Sequence, residues 1–219
     1  MRGPLLAVLA SVALALPAEA QRGWRVEGGA VVYRPEQTVR HAGGTERQSG
    51  VWMGGEGAVQ LGALRIAGVG LFGSLGASTG GTAPQTDVRV TAISLAGLAT
   101  QWLTLHAEGE ARRTDDGAVA TVRRLIGAGG SLSLGMGVEG LRGMVRATYF
   151  PVTVMSAGPP VSLALRGVAE VSYAPRGRAL AYRIAYRFER YDYAKGESGT
   201  QRLEQVRGLE IGARLRVGP

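Results

Sequence analysis

From Leu180 to Phe188 every second residue is large and apolar: Leu180, Tyr182, Ile184, Tyr186 and Phe188. Between them stand Ala181, Arg183, Ala185 and Arg187, with Glu189 just beyond. Period two is the signature of a β-strand, whose successive side chains point to opposite faces. Similar runs, bounded by Gly, Pro, Asp and Ser clusters, extend nearly end to end. They predict about ten strands: Trp24–Arg34, Gly50–Gln60, Ala63–Leu75, Asp87–Leu98, Gln101–Arg112, Val119–Leu134, Val138–Phe150, Val161–Ala174, Ala179–Tyr193 and Leu203–Val217. Eight is the alternative count.

Several segments repeat the two-faced pattern. Leu141, Val145, Ala147 and Tyr149 oppose Arg142, Arg146 and Thr148. In the next segment Val161, Leu163, Leu165, Ala169, Val171 and Tyr173 oppose Arg166, Glu170 and Ser172. Leu103, Leu105 and Ala107 oppose His106, Glu108, Glu110 and Arg112, and Leu209, Ile211, Ala213 and Leu215 oppose Glu210, Arg214 and Arg216. The connectors are expected to alternate in length. Pro35–Ser49, Gly76–Thr86, Pro151–Pro160 and Ala194–Arg202 read as long; Leu61-Gly62, Ala99-Thr100, Gly135–Gly137 and Pro175–Arg178 read as short.

The first twenty residues have the pattern of an export signal: Arg2, the apolar stretch Leu5–Leu16, then the small-x-small site Ala18-Glu19-Ala20. About twelve apolar residues fall short of the ~20 that span a bilayer as a helix. Residues 1–20 are therefore expected to be removed, leaving 21–219 as one β-barrel domain. Cysteine is absent, which rules out disulfides and a lipid-modified N-terminal cysteine. Glycine supplies 35 of 219 residues and phenylalanine only 3, too few large side chains to fill an ordinary sandwich. The formal charge is +8, and Lys195 is the only lysine. The arginines are dispersed at alternate strand positions rather than gathered on a helix or tail, so nucleic acid is not the expected partner.

Export signal, alternation, loop rhythm and absence of cysteine together resemble the small bacterial outer-membrane β-barrel proteins. The resemblance implies a closed antiparallel up-and-down transmembrane barrel, apolar side chains toward lipid and charges toward the bore. It also implies lipopolysaccharide and the barrel-assembly machinery as partners. Trp24, Tyr33, Trp52, Trp102, Tyr149, Phe150, Tyr173, Tyr182 and Tyr193 are the candidates for the interfacial aromatic girdles. The alternatives are a soluble periplasmic barrel or sandwich binding an apolar ligand, and a lipid-modifying outer-membrane enzyme.

The strongest constellation is the set of charges on the inward face. Arg142, Arg146, Arg166, Arg183, Arg187 and Arg214 are expected to face Glu108, Glu110, Glu170, Glu189 and Glu210 and to plug most of a narrow lumen. The role implied is structural, narrow-pore or surface-binding. Leu180, Tyr182, Ile184, Tyr186 and Phe188 are expected to face lipid. His106 reads as a lumen histidine in reach of Glu108 or an arginine, because no serine stands beside it for nucleophilic catalysis. No cofactor or metal is expected. Gly127-Ala128-Gly129-Gly130 lacks the helix and Lys-Ser/Thr of a phosphate loop, and Asp115-Asp116-Gly117 reads as a hairpin tip.

Overall fold

The computed structural model describes residues 23–78, 85–194 and 202–218; the segment expected to be an export signal, with Arg2, Leu5–Leu16 and Ala18–Ala20, lies outside them, as does Lys195. Ten strands follow one another: β1 (Trp24–His41), β2 (Gly44–Leu61), β3 (Leu64–Ala77), β4 (Thr86–Leu98), β5 (Leu103–Asp115), β6 (Ala120–Gly135), β7 (Leu141–Met155), β8 (Val161–Tyr173), β9 (Leu180–Tyr193) and β10 (Leu203–Val217). Each pairs antiparallel with its sequence neighbour, and β1 pairs with β10, so the sheet closes as a barrel. Closure leaves no edge of unpaired backbone groups, the condition for a sheet in hydrocarbon.

The inversion predicted for β9 holds. Tyr182, Ile184, Tyr186 and Phe188 are exposed on the outside, with Leu180 partly so, while Ala181, Arg183, Ala185, Arg187 and Glu189 are buried within. The same order runs around the wall: Val32, Phe72, Ile93, Val145 and Ile211 lie outside, and Glu27, Glu110, Arg112, Arg166 and Glu210 inside. A soluble sheet buries its apolar face, so neither a sandwich nor a barrel with an apolar interior describes this chain. The exterior is asymmetric along the axis. Near the loop-bearing end Arg34, Arg89, Arg113, Arg124 and Arg207 point outward, while Trp24 and the cross-strand pair Tyr173 and Tyr182 point outward at the opposite rim.

Four expectations need correction. Pro35–Ser49 is not a loop: β1 and β2 continue in register from Glu36–Ser49 to His41–Gly44 and turn over residues 42 and 43. Its residues are polar because this hairpin projects past the apolar band, where water on both faces suits a ladder. Likewise β7 runs on to Met155, so the connection after it shrinks to residues 156–160. Loop length therefore alternates less than the sequence implies. Third, Tyr33, Trp52, Phe150 and Tyr193 are buried inside the barrel, not in an exterior girdle. Each shares parity with inward charges on its own strand: Tyr33 with Glu27, Trp52 with Glu56, Phe150 with Arg146, Tyr193 with Arg183. Trp102 sits in a turn at the mouth of the bore. Val161 also faces inward, because the β8–β9 register shifts between Val161 and Leu163 and reverses the parity set by Leu165.

Glycine makes room for the interior aromatics. A Cβ at Gly73 would lie 2.6 Å from Trp52 Cδ1, and one at Gly127 would lie 2.7 Å from Phe150 Cδ1. Both would also meet a neighbouring carbonyl oxygen, at 2.3 and 2.2 Å. Gly127 faces the register shift in β7, beyond which the even positions Val152 and Val154 turn outward. Tight packing thus accounts for Gly127 and for Gly129, where a Cβ would lie 1.9 Å from the Ala147 carbonyl oxygen. Gly127→Val is expected to abolish the heat-modifiable folded band on SDS gels. Ile184→Arg, in the middle of the apolar band, is expected to cost about 2–4 kcal/mol in urea unfolding from lipid vesicles.

Candidate functional site: a charged septum across the bore

Alternate residues of β5, β8 and β9 meet in the middle of the bore. Glu189, with 0% exposure, is the hub. Its Oε1 accepts hydrogen bonds from Arg166 Nε at 2.9 Å and Arg187 Nε at 2.7 Å. Its Oε2 accepts from Arg112 Nη2 at 2.5 Å and from the Tyr191 hydroxyl at 2.9 Å. Glu110 receives Arg166, Arg187 Nη2 at 3.3 Å and Arg112 Nη2 at 3.4 Å, and Glu108 receives Arg166. Three guanidinium groups are thereby held by three carboxylates. Arginine suits this packing because its planar fork serves two carboxylates at once and does not lose its charge.

Aromatic rings close the septum on the loop side. Tyr33 and Trp52 meet edge to face at 5.4 Å. The guanidinium carbon of Arg112 lies 5.4 Å from the Trp52 ring centre, that of Arg187 5.7 Å from Tyr33, and that of Arg166 5.1 Å from Phe150. Arg123 stacks on Tyr191 at 3.6 Å and donates to Glu204, which also accepts the Tyr193 hydroxyl at 2.6 Å. Val31, Leu71, Val88 and Val90 pack around Tyr33 and Trp52, and Leu125 and Val206 around Phe150 and Tyr191.

Two further ionic layers lie toward the short turns. Glu56 accepts from Arg183 at 3.1 and 3.0 Å and from Arg214 at 2.6 and 2.9 Å, and Arg183 reaches on to Glu170 and Glu210. Nearest the rim, Glu27 pairs with Arg65 at 2.8 Å and Arg216 at 3.2 Å.

Of the residues singled out in the sequence, Arg166, Arg183, Arg187, Arg214, Glu108, Glu110, Glu170, Glu189 and Glu210 do join one connected set of ion pairs. Arg142 and Arg146 face the same cavity but make no ion pair among the described residues. Their cross-strand neighbours are Gly135, Ser172, Ser131 and Val168, none of them acidic. Sequence reasoning missed Glu27, Glu56, Arg65, Arg123 and Glu204, and did not place Arg112 or the aromatics in the septum. Strand parity carried a signal for each; their partners lie too far away in sequence for it to show.

His106 departs from its expected partner. Its Nε2 is 2.8 Å from Thr148 Oγ1 inside the bore, and Nδ1 is buried without a partner. The carboxylate that orients a catalytic histidine is missing from this arrangement, and the pair is turned away from the apolar exterior. At the hairpin tip, Asp116 accepts from the Val119 and Ala118 amides at 2.8 and 3.0 Å, which hold its carboxyl below the usual range. Asp115 accepts from the Gly117 amide. Among the described residues no three His, Asp or Glu side chains are placed to hold a metal ion.

Removing the hub takes a carboxylate from three buried arginines and leaves Glu110 to serve all of them. Glu189→Ala is expected to destabilise the folded barrel by about 3–5 kcal/mol. Glu36→Ala, which breaks the exposed pair with Arg207, is expected to cost no more than about 1 kcal/mol. Urea unfolding in vesicles, read by tryptophan fluorescence, compares the two.

No protein-family model matches the chain, and no curated protein matches its sequence. Solved structures do match in shape. The outer membrane protease OmpT of Escherichia coli superposes with a TM-score of 0.53 at 9% identity, over 93% of this chain and 99% of that one. The β domain of the Bordetella autotransporter BrkA gives 0.46 at 14% identity, over 86% and 98%. Neisserial surface protein A gives 0.36 at 14% identity, over 89% and 98%. At these identities the likeness concerns the fold, and the OmpT superposition carries it. Ten antiparallel strands closed on themselves, apolar without and ionic within, give this chain the fold of the outer-membrane β-barrel proteins.

Proposed function

We propose that the protein is an outer-membrane barrel, exported by its N-terminal segment, whose bore is a closed scaffold and whose work is done at its surfaces. The observation that supports this reading is the septum. Glu110, Glu189, Tyr191, Tyr33 and Trp52 are almost wholly buried across the bore, and separate cavities of about 400 and 490 Å³ lie on its two sides. An ion crossing the barrel must displace paired guanidinium and carboxylate groups, each costly to leave unpaired. A narrow arginine-rich anion path is the weaker reading for that reason.

Surface binding is favoured by the exterior. Arg34, Arg89 and Arg124 point outward beyond the apolar band at the loop-bearing end. A belt of this kind suits the phosphates of lipopolysaccharide, for which arginine is a strong partner. Insertion by the barrel-assembly machinery belongs to the same reading.

Planar-bilayer recording tests the closed bore. The native protein is expected to give no conductance steps, whereas the double variant Arg166→Ala, Glu189→Ala is expected to give them. Regular steps from the native protein would overturn the reading.

A further inference from the structure

Below the septum the bore widens toward the short-turn end into the cavity of about 400 Å³. Nine arginines and five glutamates line it; with Arg112, Glu110 and Glu189 of the septum the ratio is ten to seven. All five lining glutamates have arginine partners: Glu27 holds Arg65 and Arg216, Glu56 holds Arg183 and Arg214, Glu108 holds Arg166, and Glu170 and Glu210 hold Arg183.

Arg25, Arg142 and Arg146 are left over, and of these Arg146 alone is half-buried, the other two being exposed. Among the described residues Arg146 makes no hydrogen bond or ion pair, and its Nε is buried without a partner. Glu108 and Glu170 are its acidic neighbours, but Arg65 and Arg166 add positive potential at the same place. Ser131, directly across from it on β6, is buried and lines the cavity. A guanidinium in a narrow bore calls for a counter-charge.

We propose that this cavity binds a phosphate-type oxyanion, either the free ion or the terminal group of a small phosphate ester, with Arg146 as its anchor. The guanidinium fork offers two parallel N–H donors to such a group, and the hydroxyl of Ser131 stands beside it. The volume lies within the usual range for small-molecule sites. The ligand enters from the short-turn end, because the septum closes the other side. The site rests on the septum as its floor and is independent of whether the barrel conducts.

Glu108 Oε2 is likewise buried without a partner, so a direct Arg146–Glu108 pair is the competing arrangement. Isothermal titration calorimetry of the detergent-folded protein at constant ionic strength separates the two. Inorganic phosphate is expected to bind one saturable site, Arg146→Gln to weaken it by about tenfold or more, and Glu108→Gln to tighten it. Glycerol phosphate binding more tightly than phosphate points to an ester as the ligand; the reverse points to the free ion, and both support the site. Arg146→Gln strands no carboxylate and is expected to fold, as heat-modifiable migration reports. Should it not fold, Arg146→Lys, which keeps the charge without the fork, is expected to weaken binding in its place. No saturable heat with phosphate, or binding that neither Arg146 variant alters, overturns the proposal. So does equal destabilisation by Arg146→Gln and Glu108→Gln in a protein that ignores phosphate.

Discussion

Glu189 cannot be charged at the centre of this barrel without its arginines, and the arginines, which keep their charge, cannot be buried there without carboxylates. Arg112, Arg166 and Arg187 all converge on its two oxygens, and Glu110 completes the set. A closed sheet of ten strands leaves a bore that side chains from opposite walls can span. Any charge placed there is partly removed from water, and its cost is recovered only by close pairing and hydrogen bonding. The septum meets that demand with guanidinium forks, a tyrosine hydroxyl and ring faces.

This arrangement explains the odd composition. Large apolar residues are spent on the outside, where they face no other part of the protein. Inside, a few aromatics fill the space between ionic layers, and glycines on neighbouring strands receive them, as Gly73 does Trp52 and Gly127 does Phe150. Glycine in a strand usually weakens it, but here a side chain at those positions would collide with backbone as well as ring. Richness in glycine and scarcity of phenylalanine are two sides of one packing solution.

Charge is distributed with the same economy. Carboxylates sit almost wholly where guanidinium groups can reach them, and the arginine excess collects in two places. One is the outward belt near the loop-bearing end; the other is the cavity below the septum, where Arg142 and Arg146 make no ion pair among the described residues. Aromatic side chains mark the opposite exterior rim, at Trp24, Tyr173 and Tyr182. The barrel is therefore polarised along its axis on both surfaces.

By itself the sequence determined which residues of each strand share a face, because period-two alternation sends successive side chains to opposite sides. Arg183, Arg187 and Glu189 against Tyr182, Ile184 and Tyr186 is legible from spacing alone, and the count of ten strands follows. The hairpin over 35–49 was not legible, because polar residues paired past the apolar band look like a loop. Local register shifts were hidden as well, and they turned Val161 inward. Only the closed tertiary structure decided which charges meet. Arg183 and Glu56 are 127 residues apart, and Arg214 and Glu56 are 158 apart. Such pairs depend on shear and on the bore's width, quantities that belong to the whole barrel and to no single strand. The same closure left Arg146 without an ion pair among the described residues, since its cross-strand neighbours on β6 and β8 are Ser131 and Val168.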